Sequence, residues 1–111
     1  MNNVKVGSYT GTGAAINIEL GFIPDYVRIW NVTDGDVCFE WFYGMGAADV
    51  LKTQDIVDNA TTGNHALSLV TSAGVDAYNP ADYASELGFT VGTALSESGK
   101  TFYYVALRNS Q

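Results

Sequence analysis

The chain has 111 residues, about the length of one domain, with a hydrophobic share of 47% and a charged share of only 15%. Twelve acidic residues against five basic ones give a formal net charge of -7, which argues against nucleic acid and anionic membranes as partners. Because few charges are present to cover the aromatic and aliphatic side chains, apolar surface remains to be hidden. Self-association is one way to hide it.

Cysteine usage and hydropathy point to a chain that folds without being secreted. The single cysteine, Cys38, cannot form an intrachain disulfide and is expected to be a small buried apolar residue. No apolar run approaches the roughly 18 residues of a membrane span. The first residues lack the apolar core of a signal peptide, so we expect synthesis and folding in the cytoplasm.

Period-2 alternation of apolar and polar residues predicts the first four strands, at 4–10, 14–20, 26–32 and 37–43. The Gly-Thr-Gly turn at 11–13 predicts that the first two strands form a hairpin. The Thr-Asp-Gly-Asp turn at 33–36 predicts a second hairpin, because Asp-Gly readily adopts positive φ. The third strand has bulky side chains on both faces and is therefore predicted to be central.

The alternation fails after residue 43, and residues 44–66 are predicted to form a long loop that is ordered by a neighbouring subunit or used for contact. A short strand is predicted at 67–70, and a loop with one helical turn at 76–86. Two further strands are predicted at 88–92 and 100–108.

About seven strands with almost no helix predict an all-β fold, either an antiparallel β-sandwich or a jelly-roll-like barrel. The expected organisation is one domain over residues 1–111, in which residues 1–6 form an N-terminal arm.

Residue combinations that carry chemistry are few, so the chain is predicted not to be an enzyme. The only histidine, His65, lies in a polar segment, and no nucleophile-elbow motif accompanies it. Asp34 and Asp36 are explained as turn residues. One Cys and one His exclude the usual zinc sets, and no EF-hand spacing occurs. A weak calcium contact near Asp55 and Asp58 stays open, but no catalytic, cofactor-binding or metal-ligating residue is predicted.

Two parts of the chain carry a family likeness. Residues 7–13, 16–25 and 27–29 read GSYTGTG, INIELGFIPD and VRI, and residues 88–93 and 98–106 read GFTVGT and SGKTFYYVA. They resemble the opening and closing motifs of a short β-domain in tailed-bacteriophage virion proteins. Glu97 departs from the asparagine that this family often has before Ser-Gly, and we expect that change to alter only a turn.

This resemblance implies a virion structural protein. The expected role is a decoration (cement) protein, a homotrimer that binds the major capsid protein on the outer capsid surface and stabilises the shell. A chain that ends just after its last strand favours a free-standing decoration protein. The alternative is a carbohydrate-binding or receptor-binding module of a tail or fibre, with exposed aromatic rings beside polar groups such as Asp58, Asn59 and Asn64.

Aromatic residues lie on both faces of three strands, where they either form cross-strand pairs in a two-sided sandwich or leave one face to be covered by another molecule. If another molecule covers them, a subunit interface is favoured over a sugar, because such an interface has aromatic residues at its centre. The expected contact segments are residues 1–4 of the N-terminal arm, which can add to a neighbouring sheet, and the long loop at 44–66. The predicted interface residues are Asn2, Asn3, Val4, Trp41, Tyr43, Met45, Val50 and Leu51.

Overall fold

The computed structural model describes residues 3–56, 64–80 and 86–109. Nine strands and one 3₁₀ turn over Thr93–Leu95 occur in these residues. The strands are β1 (Asn3–Thr10), β2 (Ile16–Glu19), β3 (Tyr26–Asn31), β4 (Val37–Phe42), β5 (Val50–Ile56), β6 (Asn64–Val70), β7 (Val75–Tyr78), β8 (Gly88–Val91) and β9 (Thr101–Arg108). Within the same residues, no helix is long and apolar enough to cross a membrane.

The strands form two antiparallel sheets. The larger has six strands in the order β1-β9-β3-β4-β5-β6, and the smaller has three in the order β2-β8-β7. Side chains from the two sheets meet in a single apolar core. The predicted all-β class and the β-sandwich are therefore confirmed, and β3 is a central strand as predicted, with β4 and β9 as neighbours.

The core lies between the sheets because alternate residues of each strand point inward. In β3 the inward residues Val27 and Ile29 are fully buried, and Phe89 of β8 approaches them from the smaller sheet. The ring of Phe89 packs edge-on against Tyr104 of β9, with 5.3 Å between centroids. Each such side chain contributes roughly 1.5–3 kcal/mol by leaving water.

The predicted hairpin between β3 and β4 is confirmed. Gly35 adopts φ 72, which an L side chain rarely tolerates. The Asn31 side chain closes the turn, because its Oδ1 accepts hydrogen bonds at 3.0 Å from the backbone N–H groups of Thr33 and Asp34. The Lys100 ammonium binds the Asp34 carboxylate at 3.1 Å, and this hydrogen bond raises the pKa of Lys100.

The predicted hairpin of the first two strands is wrong. β1 pairs with β9, whereas β2 pairs with β8 in the other sheet. The turn after β1 carries the chain across the sandwich because it is held by the turn before β9. The Gly11 N–H donates to the Lys100 carbonyl at 2.8 Å, and the Gly99 N–H donates to the Gly11 carbonyl at 3.0 Å.

The predicted long loop at 44–66 is also wrong, because β5 and the start of β6 lie inside it. Inward-facing positions of β5 include Lys52 and Gln54, which line a polar cleft at the rim of the sandwich. Polar residues on the inward face conceal the period-2 pattern. The loop predicted at 76–86 likewise contains most of β7, whose four residues are too few to show a period.

The predicted arm at 1–6 is wrong for residues 3–6, which belong to β1. All eight residues of β1 pair with β9. Their exposed, polar start is compatible with a strand because the smaller sheet does not cover this end of β1. Met1 lies outside the described residues.

Candidate interaction surface

The side of the six-stranded sheet that faces away from the smaller sheet, hereafter the outer face, carries most of the exposed apolar residues of the described chain. Strand alternation places them there, since the residues between them point into the core. The large exposed apolar residues of the outer face are Val4, Val6, Trp30, Phe42, Leu67, Leu69, Tyr103 and Leu107.

Strand register aligns the outer face into three rows that run across the sheet. The first row is Val4, Leu107, Tyr26 and Phe42. The middle row is Val6, Val105, Arg28, Glu40, Leu51 and Leu69. The third row is Ser8, Tyr103, Trp30, Cys38, Thr53 and Leu67. Six strands and three rows cover about 500 Å² in projection, which is the size of a functional apolar patch.

The polar groups at the centre of the outer face satisfy one another. The Arg28 Nε lies 4.0 Å from the Glu40 carboxylate and 3.4 Å from the Cys38 sulfur. The Arg28 guanidinium also stacks 4.6 Å from the centre of the Trp30 ring. The Tyr26 hydroxyl donates to Glu40 at 2.5 Å. This cluster has no net charge.

Ionisation states at this centre follow from the same contacts. Burial, then the hydrogen bond to Glu40, raises the pKa of Tyr26 to about 12. The hydrogen bond to Cys38 is the main cause that raises the pKa of Arg28. Cys38, expected to be buried in the core, is instead half-buried on the outer face.

Two of the predicted interface residues are excluded by burial. Trp41 and Val50 are only 3% and 0% exposed because both point inward between the sheets. The prediction was wrong for them, since proximity in sequence to the expected loop does not reveal which face a strand residue occupies. Asn2 lies outside the described residues.

The other predicted interface residues are spread over several surfaces. Val4 and the half-buried Leu51 lie on the outer face, and Asn3 is exposed at the free edge of β1. Tyr43 is 61% exposed but lies beyond the end of β4, where its ring packs edge-on against a core side chain. Met45 packs against the core, and its sulfur accepts a hydrogen bond from a backbone N–H at 3.2 Å.

The strongest apolar positions of the outer face were missed by the sequence prediction. Val6 and Leu67 are each 74% exposed, and they lie at opposite edges of the sheet. A signal for this surface exists in β9, where Tyr103 and Leu107 alternate with the buried Phe102 and Ala106. A strand with large apolar residues on both faces requires a covering layer on each.

A polar cleft of about 140 Å³ at the rim of the sandwich also brings charged and polar side chains together. Asp34, Asp36 and Glu97 line it together with Lys52 and Gln54. In the described part of the chain, no three His, Cys, Asp or Glu residues come together in a group that could hold a metal ion.

The remaining residues considered for chemistry or sugar binding cannot be placed. The side chains of Asp55, Asn64 and His65 lie outside the described part of the structure. Asp58 and Asn59 lie outside the described residues.

The segments that resemble phage virion motifs come together in the fold. The opening segments supply half of β1 and all of β2, and the closing segments supply most of the partner strand β9 and all of the partner strand β8. Comparison with family models, with curated proteins and with solved structures finds no match to the chain. The likeness to virion proteins rests on the quoted motifs and stays a prediction.

Proposed function

We propose that the chain is a non-enzymatic virion structural protein, a decoration protein that binds the outer surface of a capsid shell as a homotrimer and stabilises it. The observation that carries the proposal is the outer face, a surface of about 500 Å² whose exposed apolar residues surround a paired polar centre and for which the described chain provides no cover. The virion setting comes from the resemblance of the motifs in β1, β2, β8 and β9.

The proposed mechanism is purely associative. A protein that binds an assembled lattice but not its free subunits stabilises the lattice by mass action, by about 2.7 kcal/mol per site at a hundredfold excess over the dissociation constant. Three copies joined in one particle present three contacts at high effective concentration, so each contact with the shell can be weak. No covalent chemistry is required.

The charge distribution fits a protein that must adhere by one surface and stay soluble by the others. The chain carries a formal net charge of -7, whereas the polar cluster on the outer face is an internally paired Arg28 and Glu40. Among the described residues, the acidic side chains other than Glu40 lie outside the three rows of the outer face. There they disfavour non-specific association.

Carbohydrate binding is a second candidate because Trp30 and Tyr103 are exposed neighbours on adjacent strands. Flat rings of this kind can stack on sugars. The outer face, however, also contains exposed aliphatic residues such as Val6, Leu67 and Leu69, which offer no hydrogen bonds to sugar hydroxyls. The composition of the outer face therefore favours a protein partner.

The test is co-sedimentation of the purified chain with emptied capsid shells of the virus that encodes it, and with the same capsid protein as free subunits. We expect the chain to pellet with shells, to ignore free subunits, and to raise the temperature at which the shells break open. A glycan array run in parallel tests the second candidate. Failure to bind shells, or equal binding to free subunits, would refute the decoration role.

A further inference from the structure

Side-chain size on the outer face decreases from the centre of the sheet to its edges. The two central strands, β3 and β4, carry the longest side chains, among them Tyr26, Arg28, Trp30 and Phe42. The edge strands carry short side chains, chiefly valine on β1 and leucine on β6. A covering partner must therefore lie farther from the sheet at its centre than at its edges.

A flat sheet laid face to face on a second copy does not meet this condition. Paired sheets lie about 10 Å apart, so every strand is about 5 Å from the midplane. Three sheets arranged as the sides of a triangular prism do meet it. Six strands span about 24 Å, which places the middle of each side about 7 Å from the three-fold axis while the edges converge.

The charge of the face also permits a second copy as the partner. The chain has a formal net charge of -7, so two copies repel wherever their acidic surfaces meet. The outer face avoids this repulsion, because Arg28 and Glu40 neutralise each other within one chain. In the three-fold arrangement each face of about 500 Å² is shared between two neighbours, so the whole trimer buries about 1,500 Å².

Register gives the contact its direction. Val6 and Leu69 belong to the same middle row but lie at opposite edges of the sheet, about 24 Å apart. Around a three-fold axis that runs along the strands, the β1 edge of one copy meets the β6 edge of the next at the same height. This contact joins the β1 edge of one copy to the β6 edge of the next, and three such contacts, each related by one third of a turn, form a closed ring.

We infer that three copies of the chain bury their outer faces around a three-fold axis, with Val6 of each copy beside Leu69 of the next. The inference rests on the proposed function for the trimeric state and adds the surface, the residues and the arrangement. The large rings of the central strands fill the axis, and the valine and leucine edges seal the three corners.

The first measurement is native mass spectrometry with sedimentation equilibrium of the intact chain. We expect a species of about 36 kDa, three times the 11.9 kDa of one chain. A chain that remains a monomer, or that stops at a dimer, overturns the inference.

The second measurement uses charge substitutions at the corner. Val6→Lys and Leu69→Glu each place an unpaired charge in the contact and should raise the trimer dissociation constant about 100-fold or more. The double variant Val6→Lys/Leu69→Glu should recover at least about tenfold, because the opposite charges meet between copies. Within one chain they are too far apart to pair. Absence of recovery would overturn the proposed corner.

Tyr43→Lys is the matched control, since Tyr43 is a large exposed side chain that lies off the outer face. It should leave the trimer intact, and a trimer lost with Tyr43→Lys but kept with both single corner variants would overturn the inference. Leu67→Lys provides a further edge variant if either corner variant fails to fold. Shell co-sedimentation separates the two proposals: a trimer that ignores shells refutes only the decoration role, whereas a monomer that binds shells refutes this arrangement and the trimeric state but leaves the decoration role standing.

Discussion

Two leucines of opposite environment provide a sharp test of the outer face. Leu67 is 74% exposed on the outer face, and Leu95 is fully buried in the core. Leu67→Ala and Leu95→Ala remove the same atoms, so any difference between the variants comes from the environment. We expect Leu95→Ala to destabilise the single chain and Leu67→Ala to weaken association.

The magnitudes follow from burial. Fully burying a leucine side chain contributes about 2 kcal/mol of free energy. About three-quarters of Leu67 is exposed in the single chain, so its burial on association contributes about 1.5 kcal/mol per copy. Over three copies, Leu67→Ala should cost about 4.5 kcal/mol, or roughly a thousandfold in the dissociation constant of the trimer. In the single chain it should cost only about 0.5 kcal/mol, whereas Leu95→Ala should cost about 2–5 kcal/mol.

Sedimentation equilibrium measures the association, and urea unfolding at a concentration where the chain is monomeric measures the fold. We expect Leu67→Ala to shift only the first and Leu95→Ala to shift the second far more. If Leu67→Ala left the association constant within about threefold of the unchanged chain, the burial of this face between copies would be refuted.

Burial raises the pKa of Tyr9 above its ordinary 10.0. The contribution of Tyr9 to the free energy of unfolding is therefore complete below pH 10.0 and declines as the pH rises further. The Tyr9 hydroxyl donates to the Leu95 carbonyl at 2.9 Å, so Tyr9→Phe should lower the free energy of unfolding by about 1 kcal/mol at neutral pH. The variant should also reduce the loss of unfolding free energy at alkaline pH, measured by urea unfolding, and an unchanged loss would contradict this. Gly88→Ala would drive a Cβ into the backbone carbonyl of Ile18, and we expect a loss of at least about 2 kcal/mol of unfolding free energy; a neutral variant would show that β2 and β8 can separate. Cys38 should react with iodoacetamide faster on dilution, as the outer face becomes free, and a rate independent of concentration would count against a covered face.

Strands with complete alternation could be predicted from the sequence. In β3 and β9 most inward residues are apolar, their faces agree with the prediction, and the predicted bounds differ from the strands by one residue. β5 was missed because Lys52 and Gln54 occupy inward positions at the rim of the sandwich, where water reaches them. The pairing of β1 with β9 was missed because a turn sequence does not tell whether the chain doubles back or crosses to the other sheet.

The interaction surface was harder to predict because it depends on sheet order. Val6 and Leu69 belong to one row only because four strands lie between β1 and β6 in a fixed register. Local pattern selects the right kind of residue but not the face, as Trp41 and Val50 illustrate by pointing into the core. Large apolar or aromatic residues on both sides of β3, β4 and β9 were the local sign of a covered outer face.

The most direct measurement is hydroxyl-radical footprinting of the unmodified chain at high and low concentration, read residue by residue. We expect Trp30, Phe42 and Tyr103 to be protected at high concentration and to become reactive on dilution, whereas the exposed Tyr43 reacts equally at both. If Trp30, Phe42 and Tyr103 reacted equally at both concentrations although sedimentation showed the particle dissociating on dilution, the copies would meet on another surface.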